Sequence, residues 1–118
     1  MLPGSREKIA PVEPAPDFSV THRRAGDALV VVPAGEIDLA TVDELAHALT
    51  AAREEAGRVV LDLREVSFMD SAGLRLVLEA SRDGLFAVVR GQHEVQRLFA
   101  LVGLDEGRLM MLDRPPGE

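Results

Sequence analysis

Apolar and polar positions between residues 17 and 113 change period several times, and each change marks an element. Phe18, Val20 and His22 alternate with Ser19, Thr21 and Arg23, the two-residue period of a strand with one buried face. Ala25-Gly26-Asp27 supplies turn chemistry before the run Leu29-Val30-Val31-Val32, so the two runs read as a β-hairpin. Pro33 has no N–H for a ladder bond, and the second strand is expected to end, bulge or lie at an edge there. Gly35-Glu36-Ile37-Asp38 then leads toward a helix. Thr41 and Glu44 have capping-box spacing, and Val42, Leu45, Ala46 and Leu49 recur as an inward stripe that stops near Gly57.

Arg58-Val59-Val60-Leu61-Asp62-Leu63 is short, apolar and β-branched, as expected of an inner strand. A second helix begins around Asp70 or Ser71, with Leu74, Val77, Leu78 and Ser81 on one face and Asp83-Gly84 closing it. Leu85 to Arg90 is a further strand. A third helix turns Val95, Leu98, Phe99 and Val102 inward and ends on Gly103-Leu104, the arrangement of a Schellman cap. Leu109-Met110-Met111-Leu112 makes a last short strand. The order ββαβαβαβ predicts a single α/β domain over 17–113, a mixed sheet packed with amphipathic helices and right-handed crossovers. Residues 1–16 carry Pro3, Pro11, Pro14 and Pro16 without either period and read as a disordered leader; 114–118, with Pro115-Pro116-Gly117, read as a flexible tail.

Composition narrows the function. The 118 residues are 47% hydrophobic but only 3% aromatic, which suits one compact core of Leu, Val, Ile and Ala. With no cysteine, disulfides, thiolate metal sites and thiol nucleophiles are excluded. No apolar stretch approaches the ~18 residues of a membrane span, and the N-terminus lacks a signal-peptide core. A cytoplasmic chain without membrane attachment is expected. The net charge is −7 and Arg23-Arg24 is the one basic doublet. Direct nucleic-acid binding is therefore not expected; a net negative surface would favour encounter with a basic protein partner, although acidity that serves solubility alone is the simpler account of the charge.

Catalysis finds little support. His22, His47 and His93 have no metal-ligand spacing, and neither a Walker loop nor a G-x-G-x-x-G run is present, so no metal or cofactor is expected. Ser71 stands at a strand-to-helix turn, but a nucleophile elbow needs glycine two residues earlier, where Met69 stands. A phosphoryl-accepting receiver needs an acidic pair and a late lysine, whereas the single lysine is Lys8 in the leader. The chain is expected not to be an enzyme.

Ser71 keeps one distinctive feature: it lies where a helix has unpartnered N–H groups and the positive end of its macrodipole, a place that tolerates a phosphate. Asp70 can cap the same helix and leave Ser71 exposed. From the residues alone, a silent capping serine remains the simpler account.

Three segments carry a family resemblance: Gly35-Glu36-Ile37-Asp38; Leu61-Asp62-Leu63 with Val66-Ser67-Phe68-Met69-Asp70-Ser71-Ala72-Gly73-Leu74; and Val95-Gln96-Arg97-Leu98-Phe99 with Val102-Gly103-Leu104. Together, over about residues 17–113, they resemble STAS domains of the bacterial anti-sigma factor antagonist type. The resemblance implies an antagonist that binds an anti-sigma factor, often itself a serine kinase, when unphosphorylated, and so frees a sigma factor. By position it implies phosphorylation at Ser71, a partner-binding surface of Asp38, Asp70, Ser71, Ala72, Gly73 and Arg75, and a monomer when free. A phosphoserine phosphatase is a further partner of such a cycle. Some family members have a second serine where this chain has Ala72. A non-switching STAS scaffold or adaptor, in a signalling or lipid-transport complex, is the alternative reading.

Overall fold

The structure is a computed structural model that describes residues 17–83, 85–104, 107 and 109–118; residues 1–16, expected as a disordered leader, lie outside the described residues. The expected hairpin is present: β1 (Ser19–Ala25) and β2 (Ala28–Ile37) pair antiparallel around Gly26-Asp27, with Gly26 at φ +63°. There follow α1 (Val42–Glu55), β3 (Arg58–Asp62), β4 (Val66–Met69), α2 (Ser71–Ala80) with a 3₁₀ turn at Ser81–Asp83, β5 (Phe86–Val89), α3 (His93–Leu101) and β6 (Met110–Leu112). The mixed α/β architecture is as expected, with one strand, β4, more than the order ββαβαβαβ.

The sheet runs β1-β2-β3-β5-β6, parallel everywhere except the hairpin. β2 is long enough to take two parallel partners in turn, β3 along Ala28 to Val31 and β4 along Gly35 to Ile37. Pro33 falls in the gap between them, so β2 continues through it without breaking a ladder on that side. From β2 onward each crossover steps the same way across the sheet. Right-handed connections that never reverse direction place every helix on one face, and Leu45, Leu49, Val77, Val95 and Phe99 accordingly share one core with Leu29, Val31, Leu61 and Val88. α3 ends as expected: the Leu104 N–H donates to the Phe99 carbonyl (3.0 Å) and the Gly103 N–H to that of Ala100 (3.1 Å), with Gly103 at φ +75° and Leu104 buried.

The opposite face carries Val30, Val60, Val89 and two alanines, Ala28 and Ala87. Among the described residues it is crossed by the C-terminal segment. Residues 114–118, expected as a flexible tail, run from β6 back toward β1: Pro115 is buried, and the Glu118 carboxylate accepts from Arg64 Nη1 (3.0 Å) and Nη2 (2.8 Å). The same guanidinium holds buried Asp62 at 2.9 Å, and Arg23 approaches Glu118 at 3.7 Å. Two arginines and a forked geometry thus fix a segment whose sequence carries no period.

The hydrogen bonds from Arg64 hold the Glu118 carboxyl below the usual carboxylate range. A depressed pKa stabilises the docked tail above the ordinary carboxylate value and ceases to do so as pH falls through the lowered one. The amides of Asp113, Arg114, Gly117 and Glu118 are therefore expected to keep their neutral-pH chemical shifts down to the carboxylate range and to move toward random-coil values below it. Shifts that changed already between pH 8 and 6, on the order of two units higher, would show that Glu118 does not hold the tail.

Candidate functional site

β2 and β4 end side by side, with Ile37 opposite Met69, so Asp38 and Asp70 leave the sheet as neighbours; the Asp70 N–H donates to the Ile37 carbonyl at 3.1 Å. Asp70 adopts an extended N-cap conformation (φ −104°, ψ −168°), and its Oδ1 accepts from the N–H groups of Ala72 (2.8 Å) and Gly73 (3.3 Å). The cap belongs to Asp70. Ser71, the first helical residue, is exposed, and among the described residues its hydroxyl makes no hydrogen bond. The first turn of α2 contains no acidic side chain, so its exposed N–H dipoles are not offset from within the helix.

Asp38 organises the loop before α1. Its Oδ1 accepts from the Ala40 N–H (2.9 Å), and its carbonyl accepts from Thr41 and Val42 (3.0 and 2.8 Å). The capping box expected of Thr41 and Glu44 does not form. Thr41 is buried and its hydroxyl donates to the Glu36 carbonyl (2.7 Å) while accepting from the Asp38 N–H (3.0 Å), which ties the helix start to the strand end.

The face that α2 buries is also turned from the expected one. Gly73, Val77 and Ala80 are buried, Leu74 is half-buried and Leu78 is exposed. Gly73 sets this rotation. A Cβ there would stand 2.6 Å from Met69 Cγ and 2.8 Å from Ile37 Cγ2, so only glycine lets the helix settle onto the two strand ends. Gly73, expected on the partner surface, is therefore an interior packing residue, and Asp38, Asp70, Ser71, Ala72 and Arg75 are those with accessible surface.

Ser71, Ala72 and Arg75 line a groove of about 370 Å³ between α1 and α2, opposite Leu39, Val42 and Ala46. Arg75 lies one turn beyond Ser71, is exposed and has no ion pair among the described residues. Leu39, 80% exposed at the groove mouth, was not singled out by the sequence. Its one signal is a leucine in a polar loop just before a helix start, and that alone does not distinguish surface from core. No group of three His, Cys, Asp or Glu side chains among the described residues is placed to hold a metal ion, and no described helix is long and apolar enough to cross a membrane.

The chain is thus a two-layer α/β domain that presents an exposed, non-capping serine at a helix start beside a groove between two helices. The chain belongs to the STAS domain family, whose profile matches residues 19–110. It is 33% identical over 78 residues to the anti-sigma-B factor antagonist of Staphylococcus aureus (strain NCTC 8325 / PS 47), covering 61% of this chain and 72% of that protein. Among solved structures it is similar to an anti-sigma factor antagonist from Mycobacterium paratuberculosis (TM-score 0.75, 27% identity, 85% of this chain and 90% of that one). It shares its fold with the anti-sigma factor antagonist SpoIIAA in its unphosphorylated form (TM-score 0.65, 22% identity, 83% and 88% covered).

Proposed function

We propose that the chain is an anti-sigma factor antagonist whose binding to an anti-sigma factor kinase is switched off by phosphorylation of Ser71. The observation that carries the reading is the division of labour at the start of α2: Asp70 takes the cap and the Ser71 hydroxyl stays free and exposed. The antagonist relatives support it. The proposed footprint is the groove between α1 and α2, where Leu39 offers an apolar anchor, Asp43 and Glu79 stand in the lining with Arg75, and Asp38 and Asp70 add negative charge at the adjoining strand ends. Such a surface suits a partner with an apolar knob in a basic rim.

Phosphorylation would change this surface without undoing the fold. The phosphate gains from the N–H dipoles of α2, on the order of 0.3–1 kcal/mol, and from Arg75 one turn on. The test is to incubate the chain with the candidate anti-sigma factor kinase from its own genome, ATP and Mg²⁺, and to measure intact mass and map the modified site. One phosphate on Ser71, lost in Ser71→Ala, is expected. Modification elsewhere, or none by a kinase shown to bind the chain, would leave a scaffold without this switch.

A further inference from the structure

A further hollow lies at the other end of the sheet from Ser71, where the parallel strands begin. It holds about 300 Å³ and is lined by Ala28, Val60 and Ala87 of the helix-free face, by Val59 and Phe86 at the strand starts on the other face, and by the returning C-terminal segment. Its shape follows from cross-strand pairing. Ala25 stands opposite Ala28, Ala28 opposite Arg58, and Val60 opposite Ala87, so three alanines occupy strand positions that branched side chains fill further along the same face, at Val30, Val32 and Val89. Small side chains leave a depression, and Pro116 of the C-terminal segment walls it on the solvent side.

The floor is apolar, from Val60, Ala87 and Leu112, and two arginines line the hollow, Arg58 on β3 and Arg114 on the C-terminal segment. Neither guanidinium has a hydrogen bond or ion pair among the described residues. Among the described residues Asp27 is the one acidic side chain in the lining, so that described lining carries a net positive charge within a chain of net charge −7. An apolar cavity of this volume with a few charged groups at its margin is the usual form of a small-ligand site, which begins at about 300 Å³. Arg58 and Arg114 are both exposed, so water can solvate them, but an anionic headgroup can meet them at the rim while an alkyl chain covers the alanine floor, which an inorganic anion would leave unfilled.

We infer that this hollow binds a small amphipathic carboxylate, with its alkyl chain against Ala28, Val60 and Ala87 and its carboxylate at Arg58 and Arg114. The site is independent of the Ser71 switch, since it uses the opposite ends of the same strands. Because Arg114 and Pro116 belong to the segment that Arg64 holds through Glu118, an occupant would touch both the sheet and the docked tail.

Decanoate is the probe, titrated calorimetrically into the full chain below its micelle concentration, with decanol and decylammonium as matched controls. One site with a dissociation constant on the order of 10⁻⁴ M is expected, at least tenfold weaker for decanol and without detectable binding of decylammonium. Arg58→Ser with Arg114→Ser should weaken decanoate at least tenfold and bring it level with decanol. Ala87→Phe should remove decanoate binding by filling the floor, and its circular dichroism and melting curve verify that it folds. Equal binding of all three probes, decanoate binding unchanged in the double arginine variant, or no uptake by the native chain would each overturn the assignment.

Discussion

Ser71→Asp is expected to bind the proposed anti-sigma factor partner about a hundredfold more weakly than the native chain, and Ser71→Ala within about threefold of it. The difference arises at the interface, because Ser71 lies in the groove wall, with Asp70 next to it and Asp38 at the adjoining strand end. A partner that covers this patch must strip water from a new anion already beside carboxylates. An unmatched buried charge costs several kcal/mol after relaxation, of which about 2.7 kcal/mol is enough for the hundredfold loss. Free of the partner, the same aspartate stands in the first turn of a helix that has no other acidic residue there, a favourable place for it. The melting temperature of Ser71→Asp should therefore stay within a few degrees of the native value. Calorimetric titration and thermal unfolding measure the two halves separately. Equal affinities for all three proteins would take Ser71 out of the switch, and a large loss of stability would place the effect in the fold rather than the interface.

The legible parts of this chain are the local ones. The hairpin followed from alternation and Gly26-Asp27, α1 from its apolar spacing, and the end of α3 from Gly103-Leu104, because in each case the deciding contacts lie within a few residues. β4 escaped for a physical reason. A bulge opposes Glu36 to Phe68 after Gly35 to Val66, so Ser67 is the extra residue, and Val66 and Met69 point inward three apart, a spacing that fits a strand period poorly. The stripe of α2 was displaced because leucines at 74 and 78 outweigh Gly73 and Ala80 on a hydrophobicity scale, whereas closeness to Ile37 and Met69 decides the packing. Thr41 had a good helical partner in Glu44 and instead bonds back, five residues earlier, to the Glu36 carbonyl at the strand end. The tail contact between Arg64 and Glu118 spans 54 positions and leaves no mark on the pattern. Of the candidate site, Asp70 and Ser71 were readable from local chemistry. The nearness of Asp38 depends on the β2–β4 register and was supplied by the resemblance alone.

Gly35→Ala is expected to destabilise the chain by about 3–5 kcal/mol, seen as a drop in melting temperature of more than about 10 °C. Two effects coincide at this residue. Its φ of +108° lies where a side chain is strained. A Cβ would in addition overlap the Asp17 carbonyl oxygen and come within 3.1 Å of its carbon and 3.3 Å of Phe18 Cα, all backbone atoms that cannot rotate away. Gly26→Ala is the control, since Gly26 has positive φ but open space around its missing side chain; it should cost only about 1 kcal/mol. The consequence reaches the candidate site. Gly35 donates to the Glu65 carbonyl at 3.0 Å and opens the pairing of β2 with β4 that sets Asp38 beside Asp70. Hydrogen exchange in Gly35→Ala should accelerate at Ile37, Met69 and Asp70 before it does in the β3–β5 ladder. If the two glycine variants unfolded at the same denaturant concentration, the close approach of Asp17 to β2 would not exist in solution, and the strand end that carries Asp38 would be held by something else.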